Sequence, residues 1–451
     1  MDLISKYLQV VDSSDPIKYT GRVVKVQGLL IESRGPQAVV GELCQILVPR
    51  LNTSIWAEVA GIRGEMVQLM AYSRLDGLEA GCVVVAIGEM LRIPVSDKLL
   101  GRSLDCMGHP NDGGGDIASS RYYPAIASPP DAMTRRLITR QISTGVRAID
   151  GLLPLGKGQR IGIFAGSGVG KSTIIGMMAR NSNADVNVIA LIGERGREVR
   201  EFIENDLGKE GLAKSVLVVS TSDTPPLARL RAAYVATAVA EYFRDRGQDV
   251  LLLFDSVTRF ARAQREIGLA IGEPPTTRGY TPSVFDSLPK LLERSGSSSK
   301  GSITGIYTIL VDGDDMDEPI SDTVRGTLDG HVVLSRRLAE AHRYPAVDVL
   351  KSISRLSYAV SGPVTQKAMA IIRHHMAVYE ESEDMINIGA YVKGSNPAID
   401  AAILKRADIV DFLIQAVTEK APLMDSIKKL GEIAGLDIPH SELEKLAATK
   451  P

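Results

Sequence analysis

The run Ala165-Gly-Ser-Gly-Val-Gly-Lys-Ser-Thr173 constrains this chain more than any other stretch. The apolar approach, residues 159–164, reads as a strand, and the exit, residues 172–180, reads as a helix. A strand, a glycine-rich turn ending in Gly-Lys-Ser and a helix together form a phosphate-binding loop. Gly166, Ser167, Gly168, Val169 and Gly170 let backbone N–H groups turn inward around phosphate oxygens, and the helix start adds partial positive charge. Lys171 is placed to reach β- and γ-phosphates, Ser172 to hold Mg²⁺, and Thr173 completes the nucleotide-binding set. The first glycine of the general motif is Ala165 here. A chance glycine-rich turn before a helix is the bland alternative; strand, spacing and helix together argue against it.

At 451 residues the chain is too long for one core, so two or three domains are expected. Its formal net charge of -2 provides no field for gathering nucleic acid. Cys44, Cys82 and Cys106 are odd in number and widely spaced. They suggest neither a disulfide framework nor a metal cage and fit a reducing cytoplasm. The first twelve residues lack the basic start and apolar block of a signal peptide. No apolar run approaches a membrane span. The expected location is cytoplasmic, with any membrane role exercised through partners or surface contact.

Residues 1–17 read either as a short amphipathic docking helix, with Ile4, Leu8 and Val11 on one side, or as a frayed terminus. Residues 18–93 change to short strands between turns. Candidates are Arg22–Ile31, Cys44–Val48, Ile55–Val59 and Glu65–Ala71, and they predict a small antiparallel barrel or sandwich. Residues 94–362 hold a crossing segment and then alternate strands with helices. Val186–Ile192, Val216–Ser220, Val250–Asp255 and Thr304–Val311 are the strand candidates, with a helix over Pro226–Asp245. Several of these strands are apolar throughout, as strands buried on both faces should be. The pattern predicts an open, mostly parallel sheet with crossover helices. Residues 295–301 read as a loop. Residues 363–451 read as helices, broken at 389–397 and 435–439.

Within this frame, Asp255 ends an apolar strand and is the natural carboxylate for a metal site; a helix cap after the strand is the alternative. Glu194 also follows an apolar strand, where a parallel sheet opens its ligand crevice. Hydrolysis needs a group that orients the attacking water, and Glu194 is the choice, with Glu198 placed to order Mg²⁺-bound water. Glu and Arg alternate here, so a solvated charged face remains the other reading. Arg355 is a candidate arginine finger, and Tyr344 either stacks on a base or packs ordinarily. His374-His375 lacks further ligands at zinc spacing. The acidic run 312–318 lacks the full calcium-loop pattern and reads as an acidic turn. Arg336-Arg337 beside Glu340 is not a nucleic-acid patch.

Taken together, these motifs resemble the catalytic subunits of rotary ATPases, and most closely the ATPases of type III protein export. The resemblance runs from about Gly21 to the last helices. It is carried by residues 144–151, the Ala165–Thr173 loop, and residues 193–198, 255–261, 279–285, 328–336 and 344–355. Ala165 itself resembles the export branch, where the synthase β-subunit has glycine. Residues 305–319 and 386–397 resemble flagellar members, although virulence-type injectisome ATPases carry similar segments.

The resemblance implies a multi-domain α/β chain with an N-terminal antiparallel β-barrel, a central RecA-like P-loop ATPase domain and a C-terminal helical domain. It implies ATP and Mg²⁺ as cofactors. Lys171 would bind phosphate, Ser172 Mg²⁺, Glu194 would be the catalytic carboxylate with Arg195 nearby, and Asp255 the Walker B acid. Arg259 would neighbour the phosphates, Arg355 would be a finger supplied in trans, and Tyr344 would line the adenine pocket. Tyr391 lies in a loop that resembles the synthase loop closing that pocket. The implied partners are further copies in a homohexamer, a peripheral regulator at the N-terminal region, a central coiled-coil stalk, an export-gate membrane protein and chaperone–substrate complexes. The implied location is the inner-membrane periphery at the flagellar base.

Three rival readings are weighed against these residues. A synthase catalytic subunit is disfavoured by Ala165 and residues 279–285. An RNA-binding ring helicase should carry clustered stacking aromatics in its barrel, whereas Tyr19, Trp56 and Tyr72 are scattered. A silent regulatory subunit need not keep Glu194.

Overall fold

The computed structural model describes residues 18–447, apart from 312 and 314. The amphipathic helix expected within residues 1–17 lies outside the described residues.

The first unit is a closed barrel of six strands: β1 (Thr20–Gln27), β2 (Leu30–Arg34), β3 (Glu42–Val48), β4 (Thr53–Arg63), β5 (Met66–Ala71) and β6 (Val83–Met90). They close in the order β1-β2-β5-β4-β3-β6, with every pairing antiparallel. Alternate residues such as Ile31, Cys44, Ile46, Ala57, Val59 and Leu69 point inward and fill it. The expected single strand Arg22–Ile31 is instead a hairpin. Gln27 pairs with Leu30 around a two-residue loop, and Gly28 takes φ +60°, which glycine adopts without steric cost.

The central unit is a nine-stranded sheet. Its strands are β7 (Ser103–Leu104), β8 (Arg160–Ala165), β9 (Val186–Ile192), β10 (Ser215–Ser220), β11 (Asp249–Asp255), β12 (Ser302–Leu310), β13 (Gly330–Leu334) and β14 (Val347–Ser354), in the order β14-β13-β8-β12-β11-β9-β10-β7. The ninth, Gly296–Ser297, pairs antiparallel with the first residues of β12, so the stretch read as a loop over 295–301 contributes a short strand. β14 runs antiparallel to β13, and the remaining pairings are parallel. Every residue of β9 and β11 is buried, because helices cover both faces. Helix α1 (Lys171–Asn181) packs Ile174, Ile175 and Met178 with Ile163, Leu191, Leu253 and Ile306 on one face. On the other face, α2 (Pro226–Asp245) and α3 (Val257–Ile271) bury their apolar sides with Val188, Leu252 and Tyr307.

After Gly362 the described chain is helical: α4 (Pro363–Asn387), α5 (Pro397–Leu413), α6 (Leu423–Ala434) and α7 (His440–Ala447). Two buried joints fix the outer units to the sheet. Arg231 of α2 bonds Glu58 of β4 through Nε at 2.7 Å, and Tyr72 Oη donates to the same carboxylate at 2.7 Å. At the other end, Arg147 N–H donates to Gln415 Oε1 at 2.9 Å and Arg147 Nε to Phe412 O at 3.0 Å. That second joint lays residues 414–419 beside the phosphate loop.

Candidate nucleotide site

The loop after β8 turns through Gly168 and Gly170, with φ +79° and +91°. Only glycine adopts such angles freely, and they aim successive N–H groups at one point at the start of α1. Lys171 opens α1 and reaches across the sheet end. Its Nζ lies 2.5 Å from Asp255 Oδ1 and 3.6 Å from Glu194 Oε1. Both acids belong at this edge because β9 and β11 are parallel neighbours, with Leu191 opposite Asp255. Their exposures are 8% for Glu194 and 3% for Asp255, so their charges are held in a largely dry site.

Arg259 enters from the first turn of α3, whose N–H at residue 259 is capped by Ser256 Oγ at 3.4 Å. Its Nη1 stands 2.5 Å from Glu194 Oε1. The contact is off the hydrogen-bond axis, and both atoms are buried without an aligned hydrogen bond. Gly193 makes this approach possible: a Cβ there would sit 2.9 Å from Arg259 Cδ. Two cations and two carboxylates therefore converge where the glycine loop points. Unspent hydrogen-bonding capacity remains on Glu194 and Arg259. That donor set fits a Mg²⁺–nucleotide: Lys171, Arg259 and loop N–H groups for phosphate, Ser172 and Asp255 for the metal, and Glu194 for water.

Tyr344 lies on the other side of the loop. A Cβ on Gly170 would be 3.7 Å from its ring. Together with Thr173, Met177, Ile414 and Val417 it lines a cavity of about 370 Å³. Gln415 N–H donates to Tyr344 O at 2.9 Å, so the segment after α5 forms the far wall. The turn beneath it is pinned by Asp150, whose carboxylate accepts from Thr144 N–H at 2.8 Å and Gly145 N–H at 2.9 Å. Burial pushes that carboxyl up to about 6 despite these donors.

Four expected residues stand apart from this cluster. Tyr391 lies between α4 and α5, its Oη 2.9 Å from Asn396 O and 3.0 Å from Asp400 Oδ1. It does not line the cavity beside Tyr344; residues 414–417 take that place. Arg195 and Glu198 pair with each other at 3.4 Å, with side-chain exposures of 78% and 38%. Arg355 is exposed at the end of β14, its N–H donating to Asp329 O at 3.0 Å. There Ser354 faces Gly330, whereas the phosphate-loop end of β8 pairs Ala165 with Leu334. The length of β13, about 13 Å at roughly 3.3 Å per residue, separates those ends. Arg355 thus lies at the opposite end of the sheet from Lys171 in its own chain. Sequence reasoning missed Gly193, residues 414–417 and Thr308, whose hydroxyl donates to Asp255 Oδ1 at 2.8 Å. A buried threonine near the end of an apolar strand was the available signal for the last.

Comparison with known proteins finds family models matching most of the chain. Residues 145–354 match the nucleotide-binding domain of the ATP synthase alpha/beta family, residues 23–88 its beta-barrel domain, and residues 362–432 the T3SS EscN ATPase C-terminal domain. The chain is 56% identical to the flagellum-specific ATP synthase of Treponema pallidum (strain Nichols), covering 97% of this chain and 98% of that protein. It is 53% identical to the flagellum-specific ATP synthase of Bacillus subtilis (strain 168), covering 95% and 98%. The assembled ATPase EscN of the enteropathogenic E. coli type III secretion system superposes with a TM-score of 0.87 at 44% identity, over 92% of this chain and 100% of that one. EscN in complex with its central stalk EscO gives a TM-score of 0.86 at the same 44% identity and the same 92% and 100% coverage. The chain belongs to the type III export ATPases, within the ATP synthase alpha/beta family, and is an ATP-hydrolysing enzyme.

Proposed function

We propose that this chain is the ATPase of a flagellar export apparatus, working as a homohexamer whose nucleotide sites lie between subunits. The observation that carries the ring is the placement of Arg355. One chain assembles Lys171, Glu194, Asp255 and Arg259 at one end of its sheet and presents an exposed Arg355 at the other. A neighbouring copy in head-to-tail order brings that arginine to the phosphates, and such an order closes into a ring. Two flagellum-specific relatives above 50% identity favour the flagellar role over the injectisome role.

In this reading the loop N–H groups and Lys171 bind the β- and γ-phosphates, and Tyr344 with residues 414–417 holds the base. Glu194 orients the attacking water, and Arg259 beside it holds the carboxylate in place. Mg²⁺, when bound through Ser172 and Asp255, neutralises charge on the phosphate oxygens. The partner's Arg355 stabilises the transition state. EscN assembles with a central stalk, and this chain takes an equivalent coiled coil through its ring. A peripheral regulator at the N-terminal region, an export-gate membrane protein and chaperone–substrate complexes complete its partners. Among the described residues no helix is long and apolar enough to cross a membrane. In this reading the flagellum-specific relatives put the protein at the flagellar base, on the cytoplasmic side, held there by those partners.

The test is deletion of the gene and complementation with the wild type or with Lys171→Ala. Loss of flagellar filaments, restored only by the wild type, is the expected result. Intact filaments with a lost secretion needle would replace the flagellar reading with the injectisome one.

A further inference from the structure

Asp255 is held at one particular oxygen. β11 and β12 are parallel neighbours in a register that sets Leu253 against Ile306 and Phe254 against Tyr307. The next pair in that register is Asp255 and Thr308, and both project to the face covered by α1. Thr308 is fully buried, with 0% exposure. Its Oγ1 lies 2.8 Å from Asp255 Oδ1 and 3.3 Å from Phe254 O. A hydroxyl has one proton, and the shorter contact to a charged acceptor takes it. Lys171 Nζ lies 2.5 Å from the same Oδ1. The hydrogen bonds to this carboxylate therefore converge on Oδ1 from two elements, β12 and α1.

We infer that Thr308 is a positioning residue for the metal site: with Lys171 it fixes Asp255 through Oδ1 and so commits Oδ2 to the Mg²⁺ shell. The inference rests on the reading of Asp255 as the metal carboxylate. A carboxylate held at one oxygen by two donors cannot rotate freely, and its second oxygen is presented in a single direction. Outer partners of this kind orient the group that meets the ion, and their loss typically costs tenfold to a hundredfold in metal affinity. Thr308 also sits two residues before Leu310, whose N–H donates to Thr258 Oγ1 at 2.9 Å, so the donor side chain is carried on a strand end that is itself fixed.

The experiment measures Mn²⁺ affinity in the ADP complex by paramagnetic resonance, alongside kcat and KM for ATP at saturating Mg²⁺. It uses the full chain with Thr308→Val, Thr308→Ser, Thr308→Ala and Asp255→Asn. Thr308→Val keeps the shape and removes the hydroxyl; Thr308→Ala serves if valine fails to fold, as judged by circular dichroism. The expected result is Mn²⁺ affinity weakened about tenfold in Thr308→Val, with metal-free ADP affinity unchanged, kcat lowered and KM for ATP held. Thr308→Ser should restore both quantities. Wild-type Mn²⁺ affinity in folded Thr308→Val or Thr308→Ala, with Asp255→Asn weakened, overturns the inference. Failure of Thr308→Ser to rescue also overturns it, because the hydroxyl is then not the cause. Unchanged Mn²⁺ affinity in Asp255→Asn instead removes the underlying reading of Asp255.

Discussion

Arg259 Nη1 stands 2.5 Å from Glu194 Oε1, so a guanidinium on α3 and a carboxylate beyond β9 form one charged unit at the sheet's end. Gly193 leaves room for the arginine stem, and Lys171 is the next cation, 3.6 Å from the same oxygen. The unit fixes Glu194 in direction, which an acceptor for the attacking water needs.

Arg259→Ala should therefore lower kcat about a hundredfold while leaving KM for ATP within a few-fold, since Lys171 and the loop still hold phosphate. Arg259→Lys should recover part of the loss, because the charge returns without the planar fork. Steady-state kinetics on folded variants checks both. An unchanged kcat in Arg259→Ala would make the pair structural.

Glu194→Gln should bind ATP normally and hydrolyse it more slowly by about two to four orders of magnitude. The amide keeps the shape but accepts a proton poorly. Fluorescent-nucleotide titration beside phosphate release separates the two effects. If both fell together, Glu194 would be a packing residue; if neither changed, Glu198 would take its place.

The phosphate loop and Asp255 were legible in the sequence because each is a local pattern, a turn or an acid at the end of one apolar strand. The helices Pro226–Asp245 and those after Gly362 were legible through apolar spacing. Arg22–Ile31 was misread as one strand because Gly28, the only break, is also tolerated inside strands at some cost. Tyr391 was placed at the base pocket by likeness of its loop. The wall it was meant to supply comes from residues 414–417, and that position depends on Arg147 meeting Gln415 and Phe412 from far away in the chain. Thr308 was missed for a related reason. Its partner is visible only once strand order sets β12 beside β11.

Tyr344 and Tyr391 give a direct comparison. Tyr344→Ala should raise KM for ATP about tenfold through lost stacking, with kcat little changed, and Tyr344→Phe should be near wild type. Tyr391→Ala should leave KM unaltered, because its hydroxyl serves Asn396 and Asp400. A raised KM in Tyr391→Ala and a normal one in Tyr344→Ala would reverse this assignment.

The joint between barrel and sheet is a buried ion pair, and breaking it strands a charge. Arg231→Ala should destabilise the chain by about 3–5 kcal/mol, read as a fall in the denaturant midpoint. Glu58 would be left buried with Tyr72 as its remaining donor. The double variant Arg231→Ala with Glu58→Ala should lose less than the sum of the two single variants. Strict additivity would show that the pair does not couple the two units.

The central claim is that each site is completed by the neighbouring subunit's Arg355. The most direct measurement mixes inactive Arg355→Ala and inactive Lys171→Ala chains and assays ATP hydrolysis in rings proven to contain both. Some interfaces then join an intact Lys171 to an intact Arg355, and activity should reappear, rising with total protein concentration. Mixed rings with no activity, beside a wild-type rate independent of concentration, would show that the site is complete within one chain and contradict the account.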